Sequence, residues 1–243
     1  MKHNEKLKEK IEEISNDEIF IGKIQLIDRL LADLSIEYAA FGSCSIQSYF
    51  PVFFKTPNDL DIVIWKTEMD RLRSFCEAKN YEVITKYGRL KIFIEKFHLN
   101  VISQRLDVIT DISKSICGTI NLYGFDSKIT KRDLNLINSK NVIKIKVLPL
   151  EHNLFLELFR AVYTDSLFTV FFIFKSPLWE ESKFLELLYT NESFIDLVVS
   201  RLLEYSEKIA RMEYFQRQDL NKVVDRILNL IELINKQGIS QAL

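Results

Sequence analysis

At Pro149 the spacing of apolar residues changes period, and that change limits what the chain can fold into. Upstream the apolar runs are short and bounded by polar residues: "IEYAAFG", "DLDIVIW", "YEVITKY", "LKIFIE" and "HLNVIS" each suit a strand. Downstream, "LEHNLFLELFRAVYTDSLFTVFFIF", "WEESKFLELLY", "ESFIDLVVSRLLEYSEKIARMEYFQ" and "DLNKVVDRILNLIELINKQ" place apolar residues three and four apart, the repeat of one helix face. The pattern predicts an α+β chain in two domains. Residues 1–148 form a mixed β-sheet with helices, including N-terminal ones, and residues 149–243 form an all-helical domain.

Within the first part, "EKLKEKIEEIS" predicts a helix, "SND" supplies capping residues, and "EIFIGKIQLIDRLLADL" predicts a second helix buried through Phe20, Ile24, Ile27, Leu31 and Leu34. "SIQSYF" suits a short helix and "TEMDRLRSFCEAKN" a longer one. Gly88 and the pair Glu95–Lys96 fit turns between strands. After Ser103 the pattern weakens: "TINLYGFDS" and "VIKIKVL" read as strands, and "ITKRDLNLIN" between them as a short helix or loop.

Net charge is −1, but it is unevenly spread. Residues 79–146 hold 13 Lys/Arg against 6 Asp/Glu, whereas the segments on either side each hold 10 against 14. The middle segment is therefore the natural partner of an anion, a nucleotide or an RNA backbone, or it is a solvated basic face. Three scattered cysteines, Cys44, Cys76 and Cys117, match no metal-ligand spacing and read as free thiols of a reducing compartment. The opening "MKHNEKLKEK" has no apolar stretch after it, and the longest apolar run, "SLFTVFFIF", falls short of the roughly 20 residues that cross a bilayer. The expectation is a soluble cytoplasmic protein that does not enter a membrane.

Chemistry concentrates in "FGSCSIQSYFPVFFKTPNDLDIVIW", residues 41–65. On a strand Asp59 and Asp61 share one side while Leu60, Ile62 and Ile64 take the other. Two carboxylates about 6–7 Å apart on one face repel unless a cation or a partner neutralises them. Mg²⁺ takes one or two carboxylates and completes its shell with water and phosphate oxygens. Gly42 and Ser43 follow a strand and precede a short helix, where backbone N–H groups can meet a phosphate with no side chain at Gly42 in the way. Read as a set, these residues suit two-metal phosphoryl chemistry. Taken singly, an Asp-x-Asp is more often a solvated edge, and a Gly-Ser turn is ordinary.

The order apolar strand, Gly42–Ser43, fifteen residues, Asp59-Leu60-Asp61, apolar strand resembles the signature of the nucleotidyltransferase superfamily related to DNA polymerase β. The length of the gap, and the Thr and Pro in "FKTPNDLD", look most like the aminoglycoside and lincosamide nucleotidyltransferases. The resemblance is carried by residues 38–65, extends loosely to about 148, and implies a nucleotidyltransferase-like sheet with a helical C-terminal domain. It implies Mg²⁺-dependent transfer of a nucleoside monophosphate from an NTP, ATP foremost, to a hydroxyl of a small molecule or of an RNA such as a tRNA end. Asp59 and Asp61 would bind the metal, and Gly42 and Ser43 the nucleotide phosphates. Lys55 lies in the gap and could meet phosphate or solvent.

One position departs from the family's pattern. A third carboxylate usually stands on a later strand, and the matching position in "FHLNVIS" is Asn100. An amide can offer a metal its oxygen or orient a hydroxyl, but it is no base near neutral pH. That leaves a second reading open, a weak or inactive relative acting as a nucleotide- or RNA-binding or regulatory module. Glu95 is the nearest other acid in sequence, and His98 shares the face of Asn100 as a base, a phosphate contact or a structural residue. His152 reads as a capping or surface residue, and Arg160, Tyr163 and Asp165 as candidate acceptor contacts. The run "LFTVFFIF" reads as core and "EYFQRQD" as a solvated helical end.

Overall fold

A computed structural model describes the chain except for residues 1, 51–56, 58, 87, 95–96, 110–115, 123–128, 137–140, 160–163 and 242–243. It divides into two units, residues 1–107 with 124–148, and residues 108–123 with 149–243. The strands in chain order are β1 (Tyr38–Phe41), β2 (Asp59–Ile64), β3 (Glu82–Lys86), β4 (Arg89–Ile94), β5 (Phe97–Ser103), β6 (Arg105–Ile109), β7 (Ile116–Asn121), β8 (Thr130–Asn135) and β9 (Val142–Val147). Seven of them form one mixed sheet in the order β3-β4-β5-β2-β1-β9-β8, and β6 pairs with β7 in a separate ribbon. The mixed α+β class and the helical C-terminal part are as the apolar periods predict.

Alternation along the strands decides which side of the sheet is buried. Leu60, Ile62 and Ile64 of β2, Leu99 and Val101 of β5, and Leu90 and Ile92 of β4 join one apolar cluster. The cluster also takes Phe20, Ile24, Ile27 and Leu31 of α1 (Lys2–Asp33) and Leu72 and Cys76 of α3 (Met69–Ala78). Between β1 and β2 lies α2 (Gly42–Tyr49). Both edge strands carry exposed charges: β3 exposes Glu82 and Lys86 on either side of an exposed Ile84, and β8 exposes Lys131 and Asp133, which discourages pairing with another chain.

Two expectations for this unit are corrected. "SND" caps nothing, because α1 runs unbroken through it and Asp17 is buried inside the helix. Burial of the apolar face from Phe20 to Leu31 outweighs the few tenths of a kcal/mol that Ser, Asn and Asp each cost mid-helix. The segment read as a short helix or loop contains β8, paired with β9 through Leu134 opposite Ile143 and Arg132 opposite Ile145.

Helix ends here use left-handed residues. Ser35 (φ 50) and Asn80 (φ 58) each follow a helix. Ile36 N–H donates to Leu31 O and Ser35 N–H to Ala32 O, while Tyr81 N–H donates to Cys76 O and Asn80 N–H to Glu77 O. Both are Schellman motifs that satisfy the last carbonyls and turn the chain into β1 and β3.

The second unit contains α4 (Leu150–Leu158), α5 (Thr164–Lys175), α6 (Glu181–Tyr189), α7 (Ile195–Ala210) and α8 (Arg217–Gln241). Its aromatic core includes Phe155, Phe171, Phe174 and Phe184, and the run read as core is buried from Val170 to Phe174. "EYFQRQD" is not simply a solvated helical end: it straddles the link from α7 to α8 and the start of α8. There Phe215 stacks on Phe171 with ring centroids 4.2 Å apart. His152 is neither capping nor on the surface, since it lies buried on α4. β7 is fixed by Asn191, whose Oδ1 accepts from Asn121 N–H (2.6 Å) and whose Nδ2 donates to Asn121 O (3.0 Å).

Candidate active site

β2 is the middle strand of seven, so Asp59 and Asp61 do not stand on a solvated edge. They are there because Leu60, Ile62 and Ile64 fill the core side of the same strand and leave the odd-numbered positions to the opposite face. β1 runs antiparallel beside β2, with Phe41 opposite Asp61. β5 runs parallel on the other side, with His98 opposite Asp59 and Asn100 opposite Asp61. All three polar positions nearest the centre, Asp59, Asp61 and Asn100, are half-buried.

The two carboxylates converge on one amide. Asn100 Nδ2 donates to Asp59 Oδ2 at 2.8 Å and to Asp61 Oδ1 at 2.9 Å. The chemistry fixes which way the amide faces: NH₂ carries two hydrogens for two acceptors, whereas the carbonyl oxygen would meet only lone pairs.

Gly42 closes the site on the β1 side. It opens α2 with φ +66, a conformation that costs a residue bearing a Cβ about 1–2 kcal/mol. A Cβ placed there would stand 2.8 Å from Asp61 Oδ2, so the carboxylate lies against the bare backbone. Ser43 is the next residue of α2 and is exposed. Cys44 follows, fully buried. Burial pushes its thiol well above the usual range, and the charges of Asp61 and Asp59 push it further. Burial and those charges favour the protonated thiol, and the carboxylates of Asp59 and Asp61 give the site hard oxygens.

The register also aligns residues whose place the sequence did not reveal. Lys91 of β4 lies opposite Asn100, so Asp61, Asn100 and Lys91 stand in one row across three strands. Phe93 lies opposite His98, their rings edge to face with centroids 4.7 Å apart, and Lys91 Nζ sits 5.1 Å from the Phe93 ring centre. A cation and an aromatic pair thus flank the acidic centre. Alternation within β4 placed Lys91 and Phe93 on the polar face, but nothing in the sequence paired them with Asn100 and His98.

Other candidates fall elsewhere. Lys55, Glu95, Arg160 and Tyr163 lie outside the described residues, as does the side chain of Asp165 in the first turn of α5. Among the described residues no group of three His, Cys, Asp or Glu side chains is placed to hold a metal. Two carboxylates with the amide oxygen of Asn100 within a side-chain rotation still suit Mg²⁺, which needs only one or two carboxylates from the protein. No described helix is long and apolar enough to cross a membrane.

No protein-family model matches the chain, and no curated protein sequence matches it. Among solved structures it is similar to the lincosamide antibiotic adenylyltransferase LnuA with lincomycin bound, at 11% identity and a TM-score of 0.42, over 61% of this chain and 92% of that one. It is also similar to the antibiotic-resistance factor ANT(2'')-Ia, at 9% identity and a TM-score of 0.42, over 93% and 94%. A third, a nucleotidyltransferase-like protein from Paracoccidioides brasiliensis, shows 14% identity and a TM-score of 0.37 over 85% and 92%. Overlap this shallow carries no reaction or substrate across, so the functional reading rests on the site.

Proposed function

We propose that the protein is a Mg²⁺-dependent nucleotidyltransferase that moves a nucleoside monophosphate from an NTP, ATP foremost, to a hydroxyl of a small molecule or of an RNA such as a tRNA end. The acceptor oxygen forms a bond to the α-phosphorus, and the bond from that phosphorus to the departing pyrophosphate breaks. The observation that carries this reading is the convergence of Asp59 and Asp61 on one face, with Asp61 against the side-chain-free backbone of Gly42.

Each residue then has a task. Asp59 and Asp61 hold the metal, which when bound supplies positive charge for the triphosphate and the leaving pyrophosphate. Gly42 and Ser43, at the start of α2, offer backbone N–H groups to the phosphates. Lys91, on a strand about two spacings, roughly 10 Å, from that of Asp61, adds a cation. His98 holds the titratable nitrogen opposite Asp59, where it can take the acceptor's proton, a task Asn100 cannot perform. Buried free thiols at Cys44 and Cys76 suit a reducing compartment, so we place the reaction in the cytoplasm.

The test is a transfer assay with each labelled NTP, Mg²⁺ and a panel of hydroxyl acceptors, on wild type and Asp59→Asn. Losing one charge of the metal site removes several kcal/mol of transition-state stabilisation, so the variant should fall by at least about 100-fold. Transfer by no form of the protein, under any pairing, would refute the enzyme reading. The runner-up reading, a binding or regulatory module, starts from the amide of Asn100 where the pattern calls for an acid. A sharp gain of transfer in Asn100→Asp would support that reading.

A further inference from the structure

Three partners meet at the centre of the sheet, two negative and one neutral. Asn100 gives one hydrogen of its NH₂ to each carboxylate, a contact that a third acid at this position could not make while ionised. We propose that Asn100 is a two-position latch. Its nitrogen end holds Asp59 and Asp61 together in the cation-free protein, and its oxygen end turns to the site when a divalent cation is held there. The inference rests on the metal site proposed above and adds how that site stays assembled between turnovers.

The amide is suited to this by its shape. Its two ends are nearly equal in size, and the terminal torsion of Asn is broad and close to two-fold, so half a turn exchanges NH₂ for oxygen with little steric change. The backbone stays in place, because β5 is paired along its length with β2 on one side and β4 on the other. What the rotation gives up is two charge-assisted hydrogen bonds, which leave the net charge of the two acids uncompensated even while they are made. A divalent cation compensates that charge, and it calls for an oxygen where the nitrogen had been. Asn100 therefore follows the charge between the acids.

An acid at position 100 behaves differently. With no cation present it adds a third negative charge beside Asp59 and Asp61, and with a cation present it adds a charged ligand. The amide makes a site that keeps its arrangement when empty and binds the ion less tightly. An apolar residue of similar size loses both positions.

The test uses the full chain without nucleotide. Melting temperatures of wild type, Asn100→Asp and Asn100→Leu are compared in EDTA and over a rising Mg²⁺ series. In EDTA both variants should melt several degrees lower than wild type. Mg²⁺ should raise Asn100→Asp more than wild type, and it should shrink the deficit of Asn100→Leu as the ion takes over between the acids. Deficits that ignore Mg²⁺, or an Asn100→Asp protein as stable as wild type in EDTA, overturn the latch. The side-chain ¹⁵NH₂ resonance of Asn100 in the wild-type protein provides a readout free of folding defects. It should shift as Mg²⁺ binds, and a signal that stays fixed while Mg²⁺ stabilises the protein and transfer proceeds defeats the latch alone. If Mg²⁺ neither stabilises any form nor moves that resonance, the latch and the metal site fall together.

Discussion

Asp61 Oδ2 stands 2.8 Å from the point where a Cβ on Gly42 would lie. The two residues belong to different elements, β2 and the first turn of α2, and neither position is free to change alone. The left-handed backbone of Gly42 sets where α2 begins, and the missing side chain lets the carboxylate rest there. A turn and an acid that are nineteen positions apart thus form one surface.

Gly42→Ala tests that surface. The left-handed conformation costs alanine about 1–2 kcal/mol, and the added methyl must also displace the Asp61 carboxylate. Urea unfolding should show a loss of about 1–3 kcal/mol, most of it from the backbone strain and the overpacking. Nucleotidyl transfer should fall further than stability explains, because Asp61 leaves its position beside Asn100. A variant as stable and as active as wild type would mean that the turn and the carboxylate are independent.

Lys91 supplies a second test. It stands in the row of Asp61 and Asn100, with Nζ against the Phe93 ring. If it meets the triphosphate, Lys91→Ala loses one charge-assisted contact, worth about 1.5–3 kcal/mol, and KM for the NTP rises roughly 10-fold or more. Its kcat should change far less, and the loss should shrink as salt is raised. An unchanged KM with a reduced kcat would place Lys91 elsewhere in the reaction.

How far the sequence disclosed this arrangement depends on whether a feature is local. Asp59 and Asp61 share a face because strand side chains alternate, and Gly42 precedes a helix because its neighbours show it; both are legible in a few residues. Lys91 beside Asn100 is not, because that pairing is a register between strands with no local signature. β8 escapes notice because it is an edge strand whose single buried apolar residue is Leu134. The place of β7 is set from seventy residues away, by Asn191 gripping Asn121 and by Phe194 filling the space that a side chain at Gly118 would take. His152 looks like a capping or surface residue of a helix start, but every residue of α4 is buried.

Glu151 gives the last prediction, in the second unit. Its Oε1 accepts the N–H of Glu180, the residue that precedes α6, at 2.8 Å. Burial pushes its carboxyl above the ordinary range; the hydrogen bonds from backbone N–H groups and the Lys183 charge pull it down less, and the Glu180 charge adds to the rise. Folding therefore favours the protonated form. The stability this contributes is complete below the unfolded carboxyl's pKa and is lost as pH rises through the higher folded value. Glu151→Gln keeps an oxygen for Glu180 N–H and cannot ionise, so it should escape that loss. Urea unfolding in steps from pH 4 to pH 8, values chosen to bracket the ordinary carboxyl pKa of about 4.3, should find the two proteins nearly equal at the acid end. The variant should then gain on wild type until Glu151 is fully ionised. Parallel profiles would show that the buried carboxyl does not govern the pH response of this unit.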